Sequence, residues 1–256
     1  MRHTATRAAP PPSWLLWAES RAGLELGATL AAWPLLQFAP RGDGHAVLVI
    51  PGLIASDAST ELLRAYLRGR GYAVHGWGLG PNFGPRSGVF EALHQRLEHL
   101  RASTGRPVSL VGWSLGGAFA RGLAASRPDA VRNVISLGSP IVGNPRSSNA
   151  WRLYEALSGK AADDASVSEQ MRAPVGVPTT SIYSRSDGVV GWRASHLPPA
   201  PGSENIEVYG SHLGLGVNSA VLLALADRLA QREGAWAPFS SRTTMLRALY
   251  PDPDRP

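Results

Sequence analysis

A serine, an aspartate and a histidine stand in this chain in an order that suits nucleophilic catalysis. Ser114 is the middle residue of Gly112-Trp113-Ser114-Leu115-Gly116, between an apolar run and a helical pattern. A serine hydroxyl is a weak nucleophile until a base takes its proton, so it needs an imidazole and a carboxylate to orient that imidazole. Both follow in the chain, as Asp187 in Arg185-Ser186-Asp187-Gly188 and His212 in Gly210-Ser211-His212. The chain has no cysteine, which excludes thiolate nucleophiles, disulfides and cysteine-held metals and leaves serine as the natural attacking group.

Other residues compete for the two supporting roles. His94 and His99 fall on a helical pattern, and His45 and His75 belong to early strand regions. His196 precedes the Pro-rich Leu197-Pro198-Pro199 and follows no clear strand, so chain order favours His212 as the base. Asp163 and Asp164 lie in a polar stretch and read as solvated or capping groups, and Asp57 reads as the N-cap of a helix. No spacing of His, Asp and Glu matches a metal site, so neither a metal nor another cofactor is implied.

The elements that must carry these residues alternate. Ala46–Ile50 is a short Val- and Ile-rich run closed by Pro51-Gly52, as expected of a strand buried on both faces. A helix over 58–69, a strand Tyr72–Trp77, a helix Gly88–Ala102, a strand Val108–Gly112, a helix Leu115–Ala125 and a strand Val131–Leu137 follow. The rhythm breaks over 143–178, where two short helices are expected, Ala150–Leu157 and Ser166–Arg172. It resumes with strands Thr179–Ser184 and Asn205–Tyr209 and a helix Asn218–Gln231. This pattern predicts an α/β fold, a doubly wound and mostly parallel sheet with a small insertion above it. The sharp turn from strand to helix at Ser114 strains the serine and demands tiny residues on either side, which Gly112 and Gly116 provide.

Length and composition suit such a fold. The 256 residues divide into a leader and helical extension (1–43), one α/β domain (44–235) and a tail (236–256). With 44% hydrophobic and 17% charged residues, disorder and membrane spanning are both excluded. The net charge of +6 comes from scattered arginines, so no nucleic-acid partner is implied. The leader, ending in Pro10-Pro11-Pro12, reads as disordered. Residues 13–38 show helical spacing in Trp14, Trp17, Leu24, Leu26, Leu30 and Trp33, with Ser13 as N-cap and Pro34 as terminator or kink. Its face bearing Glu19, Arg21 and Glu25 favours a helix packed on the domain over one lying on a membrane surface. The apolar stretch Trp14–Ala18 is too short for a signal-peptide core, which points to a cytoplasmic protein.

Taken together, Val49-Ile50-Pro51-Gly52-Leu53, Gly112-Trp113-Ser114-Leu115-Gly116-Gly117, Ser184-Arg185-Ser186-Asp187-Gly188 and Gly210-Ser211-His212 resemble a bacterial α/β-hydrolase of the esterase and lipase type over about residues 45–235. The resemblance implies an eight-stranded sheet or a truncated version, with a lid at 143–178. It also implies a triad of Ser114, Asp187 and His212, and an oxyanion hole from the N–H groups of Leu115 and Leu53, with Ile54 replacing Leu53 if the loop turns one residue later. Where many lipases carry His-Gly, this chain carries Pro51-Gly52. The implied activity is hydrolysis of an apolar carboxylic ester in a pocket shaped by Leu53, Ile54, Phe83, Trp113 and Val189, with Trp77 and Trp192 as further lining candidates. An acyltransferase or thioesterase would use the same triad, and a silent binding module on this fold is the alternative from another class.

Overall fold

The computed structural model describes residues 9–142, 145–164, 175–239 and 248–254. Its strands are β1 (Ala46–Ile50), β2 (Ala73–Gly76), β3 (Val108–Trp113), β4 (Val131–Leu137), β5 (Thr179–Tyr183) and β6 (Ser203–Glu207). Among the described residues they form one six-stranded sheet in the order β2-β1-β3-β4-β5-β6, with every pairing parallel.

The helices are α1 (Ser13–Ala18), α2 (Ala22–Leu36), α3 (Glu61–Gly69), α4 (Val89–Thr104), α5 (Leu115–Ser126), α6 (Trp151–Ser158), α7 (Trp192–Ser195) and α8 (Ser219–Leu229). Strand β1 is buried along its whole length, and its alternate side chains feed two separate cores. Val47 and Val49 join Leu63 and Tyr66 of α3 and Leu222 and Leu225 of α8; Leu48 and Ile50 join Leu93 and Leu97 of α4 and Phe119 and Leu123 of α5. A strand covered on both faces has no polar side to show, which is why it is written as a continuous apolar run.

The chain runs from β1 to β2 on one side and then returns to place β3 on the other. Loops leaving the carboxyl ends of β1 and β3 therefore diverge, and such a reversal opens a crevice where open α/β sheets bind ligands. Strand β6 begins two residues earlier than the expected Asn205, so Val208 and Tyr209 lead into the loop carrying His212. Asn218 caps α8, its Oδ1 accepting the N–H groups of Ala220 and Val221. The expected second insertion helix, Ser166–Arg172, lies outside the described residues.

The N-terminal segment differs most from expectation. The single helix over 13–38 is instead α1 and α2 joined by a tight 3-10 turn at Glu19–Arg21. Ser13 is the first helical residue and caps nothing, the cap position falling to Pro12. Pro34 lies inside α2, which continues to Leu36. The segment does pack on the domain, α2 lying along α8 and Trp33 meeting the Tyr66 ring edge-on at 5.8 Å. Of its expected apolar positions only Trp33 and Leu26 are partly covered. Trp14, Trp17, Leu24 and Leu30 are exposed, whereas Leu15, Glu19, Thr29 and Leu36 are buried, because the inward face is shaped to meet loops rich in backbone N–H and C=O groups. Within the leader, Pro11 is buried and its carbonyl accepts from Asn149 Nδ2, so the end of that stretch is held in place.

Candidate active site

Ser114 alone joins β3 to α5. Its backbone, at φ 55° and ψ −124°, lies in a region that costs a non-glycine residue about 1–3 kcal/mol. The neighbouring glycines make room for the turn. A Cβ on Gly112 would lie 2.3 Å from the Gly116 carbonyl oxygen, and one on Gly116 would lie 2.2 Å from that of Ile50. The Ser114 N–H continues the ladder to Leu137 O at 2.7 Å, so the strained residue is anchored from β4.

The loops after β5 and β6 bring the other two groups to it. His212 Nε2 lies 2.9 Å from Ser114 Oγ, and His212 Nδ1 lies 2.7 Å from Asp187 Oδ2. A carboxylate can only accept, so Nδ1 carries the proton and Nε2 is left to accept from the serine. The other carboxylate oxygen of Asp187 accepts the N–H groups of Val189 and Val190 at 2.8 and 2.7 Å, which fixes the carboxylate's rotation. Asp187 and His212 are both buried. Burial disfavours the imidazolium, but the charge and hydrogen bond of Asp187 and the charge of Glu19 outweigh it, and the His212 pKa is raised above its ordinary value.

The two residues expected to supply oxyanion donors, Leu115 and Leu53, both lie beside Ser114. Leu115 is the first residue of α5, where an N–H has no partner within the helix. Gly52 sits against the serine, since a Cβ on it would lie 3.1 Å from Ser114 Cβ, and this brings the Leu53 loop over the nucleophile. The Ile54 N–H is taken, donating to Asn82 O at 2.7 Å, while Asn82 Nδ2 holds Pro51 O from the other side. Of the two expected candidates in this loop, the N–H of Ile54 is thus already engaged.

Above these groups lies a cleft of about 400 Å³, lined by Leu53, Ile54, Trp113, Val189, Leu153 and Leu213 among others, with Ser114 and His212 in its wall. Leu16 of α1 also lines it, so the N-terminal segment contributes to the cleft. Trp113 donates its indole N–H to the His212 carbonyl at 3.1 Å, bracing the base while its ring faces the cleft.

No protein-family profile and no curated protein matches this chain. Solved structures do match it. One is from work on two metagenome-derived lipolytic enzymes, LipS and LipT; it superposes over 75% of this chain and 95% of its own at 16% identity and a TM-score of 0.58. A monoacylglycerol lipase from Paleococcus ferrophilus matches over 74% and 96% at 17% identity and a TM-score of 0.53. A soluble variant of the Saccharomyces cerevisiae monoglyceride lipase, in complex with a substrate analog, matches over 76% and 91% at 15% identity and a TM-score of 0.50. The chain has the α/β-hydrolase fold. Identities this low speak for the fold alone.

The chain contains a second Ser–His–Asp arrangement, separate from the first. His45 Nδ1 lies 2.5 Å from Asp43 Oδ1, and His45 Nε2 lies 2.8 Å from Ser109 Oγ. These groups sit at the amino ends of β1 and β3, opposite the crevice, and His45 and Ser109 are sealed from solvent. Burial works to raise the Asp43 pKa, but hydrogen bonds from His45, Arg132 and Arg106 hold it well below the carboxylate range. Burial lowers the His45 pKa against the opposing pull of Asp43. With Arg132 of β4 donating to Asp43 at 2.9 Å, this trio ties β1, β3 and β4 together at their base.

Several expected site residues lie elsewhere in the structure. Phe83 is not among the residues lining the cleft, and its ring lies 4.8 Å under the Arg86 guanidinium. Trp77 is buried, with its indole N–H donated to Gly80 O, and Trp192 stacks on Tyr183 beside His196 in a different hollow. Asp57 caps no helix. Its carboxylate instead accepts the N–H groups of Trp77 and Gly78, tying the loops after β1 and β2 together. Among the described residues no cluster of three or more His, Asp and Glu side chains is placed to hold a metal ion, and no helix is long and apolar enough to cross a membrane.

Glu19 is the residue that sequence reading missed. It is only 5% exposed, and its carboxylate accepts three backbone N–H groups from the loops holding Asp187 and His212. The available signal was its companionship with Arg21 and Glu25 in an otherwise apolar segment.

Proposed function

We propose that this protein is a serine hydrolase that cleaves apolar carboxylic esters through an acyl-enzyme. The observation that carries this is the unbroken path from Ser114 Oγ through His212 to Asp187, at 2.9 and 2.7 Å, in the wall of an apolar cleft. The catalytic roles follow from chemistry. His212 Nε2 takes the hydroxyl proton as Ser114 Oγ bonds to the ester carbon, and the carbonyl oxygen becomes an oxyanion facing the N–H groups of Leu53 and Leu115. The intermediate collapses, the C–O bond to the alcohol breaks, and the imidazolium returns its proton to the departing alkoxide. Water repeats the sequence on the acyl-enzyme and releases the acid. Asp187 holds the imidazole in the tautomer with Nδ1–H and steadies its charged form. Each oxyanion donor contributes about 10²–10³ in rate, so the loop carrying Leu53 matters nearly as much as the base.

The test is turnover of p-nitrophenyl butyrate by wild type, Ser114→Ala and His212→Ala. Wild type is expected to hydrolyse the ester and both variants to lose at least about 10³-fold in kcat. Turnover surviving in Ser114→Ala would overturn the proposal.

A further inference from the structure

We propose that Glu19 is a positioning residue of the active site, holding the loop that carries Asp187 and the loop that carries His212 in one fixed relation. This rests on the hydrolase reading of Ser114, Asp187 and His212. Asp187 and His212 arrive from separate loops, after β5 and after β6, and a path of two hydrogen bonds survives only if those loops keep their register. The carboxylate of Glu19 bridges them. Its Oε1 accepts the Gly188 N–H at 2.8 Å and the His212 N–H at 2.9 Å, and its Oε2 accepts the Leu213 N–H at 2.8 Å. One side chain thus grips the backbone beside the acid and the backbone of the base itself.

Three further observations point the same way. Burying a carboxylate is costly unless its lone pairs are met, and here they are met by backbone N–H groups of the two loops. An apolar side chain would fill the space without that cost, so what the carboxylate adds is direction. Its neighbours grip the same loops: Arg21 Nη2 donates to Ser186 O at 2.6 Å and Gly210 O at 3.0 Å, and Glu25 Oε1 accepts the Ser211 N–H at 2.7 Å. The loops are shaped to receive the segment, because a Cβ on Gly188 would lie 2.3 Å from Leu15 O and one on Gly214 would lie 1.9 Å from Glu25 Oε2.

Glutamine has nearly the shape of glutamate but only one acceptor oxygen, so in either orientation its amide N–H groups confront a backbone N–H. Glu19→Gln is expected to lower kcat for p-nitrophenyl butyrate about 10- to 100-fold with KM within about threefold, the size of effect that follows from sub-ångström misplacement of reacting groups. The acid limb of its pH–rate profile is expected at lower pH than in wild type, since a negative charge facing His212 alongside Asp187 has been removed. A filler role would not move that limb. Trp17→Ala, in the same segment but 85% exposed, is expected to keep wild-type kinetics. If Glu19→Gln does not fold, Glu19→Asp carries the test: its shortened reach is expected to lower kcat while its charge keeps the acid limb near the wild-type position.

The outcomes separate cleanly. Wild type without turnover would remove the hydrolase reading and this inference with it. Active wild type with kcat in Glu19→Gln, or in Glu19→Asp, within twofold of it would overturn the inference alone. Loss of kcat matched by loss of folded protein, with the acid limb unmoved, would assign Glu19 to folding only and also overturn it.

Discussion

His212 can act as a base only while Nε2 is unprotonated, and its surroundings pull on that proton in opposite directions. Burial favours the neutral ring, but the carboxylates of Asp187 and Glu19 prevail and the pKa is raised. The sign for activity follows directly: kcat/KM should fall on acidification through a pKa above the ordinary imidazole value, earlier than for an exposed histidine. A pH–rate profile of wild type checks this, and an acid limb below that value would contradict it. At this scale Ser114, Asp187 and His212 were legible because the chemistry requires those residue types in that order after successive strands. Glu19 was not, because an acid at helical spacing beside an arginine looks the same in sequence whether it faces water or a row of backbone N–H groups. Phe83 was misplaced because position in a nearby loop does not say which neighbour an aromatic ring will meet; here it is the Arg86 guanidinium.

Among the elements, the β3–α5 junction has the least freedom. The backbone of the Ile50 strand end and the first turn of α5 approach so closely at Gly116 that one methyl group has no place to go. Gly116→Ala is therefore expected to cost about 1–3 kcal/mol or more and to displace Ser114. Urea unfolding with an ester assay measures both; a variant with wild-type stability and activity would show the junction to be looser than described. The buried strands were readable because residues covered on both faces are written as Val, Ile and Leu runs, and their bounds shift by only a residue or two. The N-terminal helix was misread because periodicity finds an apolar stripe but not which way it faces. Here Glu19 and Glu25 turn inward to the loops beside Leu15 and Leu36, while Trp14, Trp17, Leu24 and Leu30 face outward.

At the scale of the whole molecule, distant parts of the chain converge on one cleft: Leu16 from the N-terminal segment, Ile54 after β1, Leu153 from the insertion, Val189 after β5 and Leu213 after β6. Burial of an acyl chain against these side chains should contribute about 0.8 kcal/mol per methylene, or roughly a fourfold gain in kcat/KM for each carbon added until the cleft of about 400 Å³ is filled. A series of p-nitrophenyl esters tests this, and rates indifferent to chain length would show that the cleft does not hold the acyl group. The arginine excess has no place in this scheme, since the cleft is lined by apolar side chains. The central claim is that Ser114 is the activated nucleophile, and one measurement tests it most directly. After reaction with a fluorophosphonate, intact-protein mass spectrometry should find one adduct on wild type and none on Ser114→Ala. An unmodified wild type, or the same adduct on the variant, would contradict it.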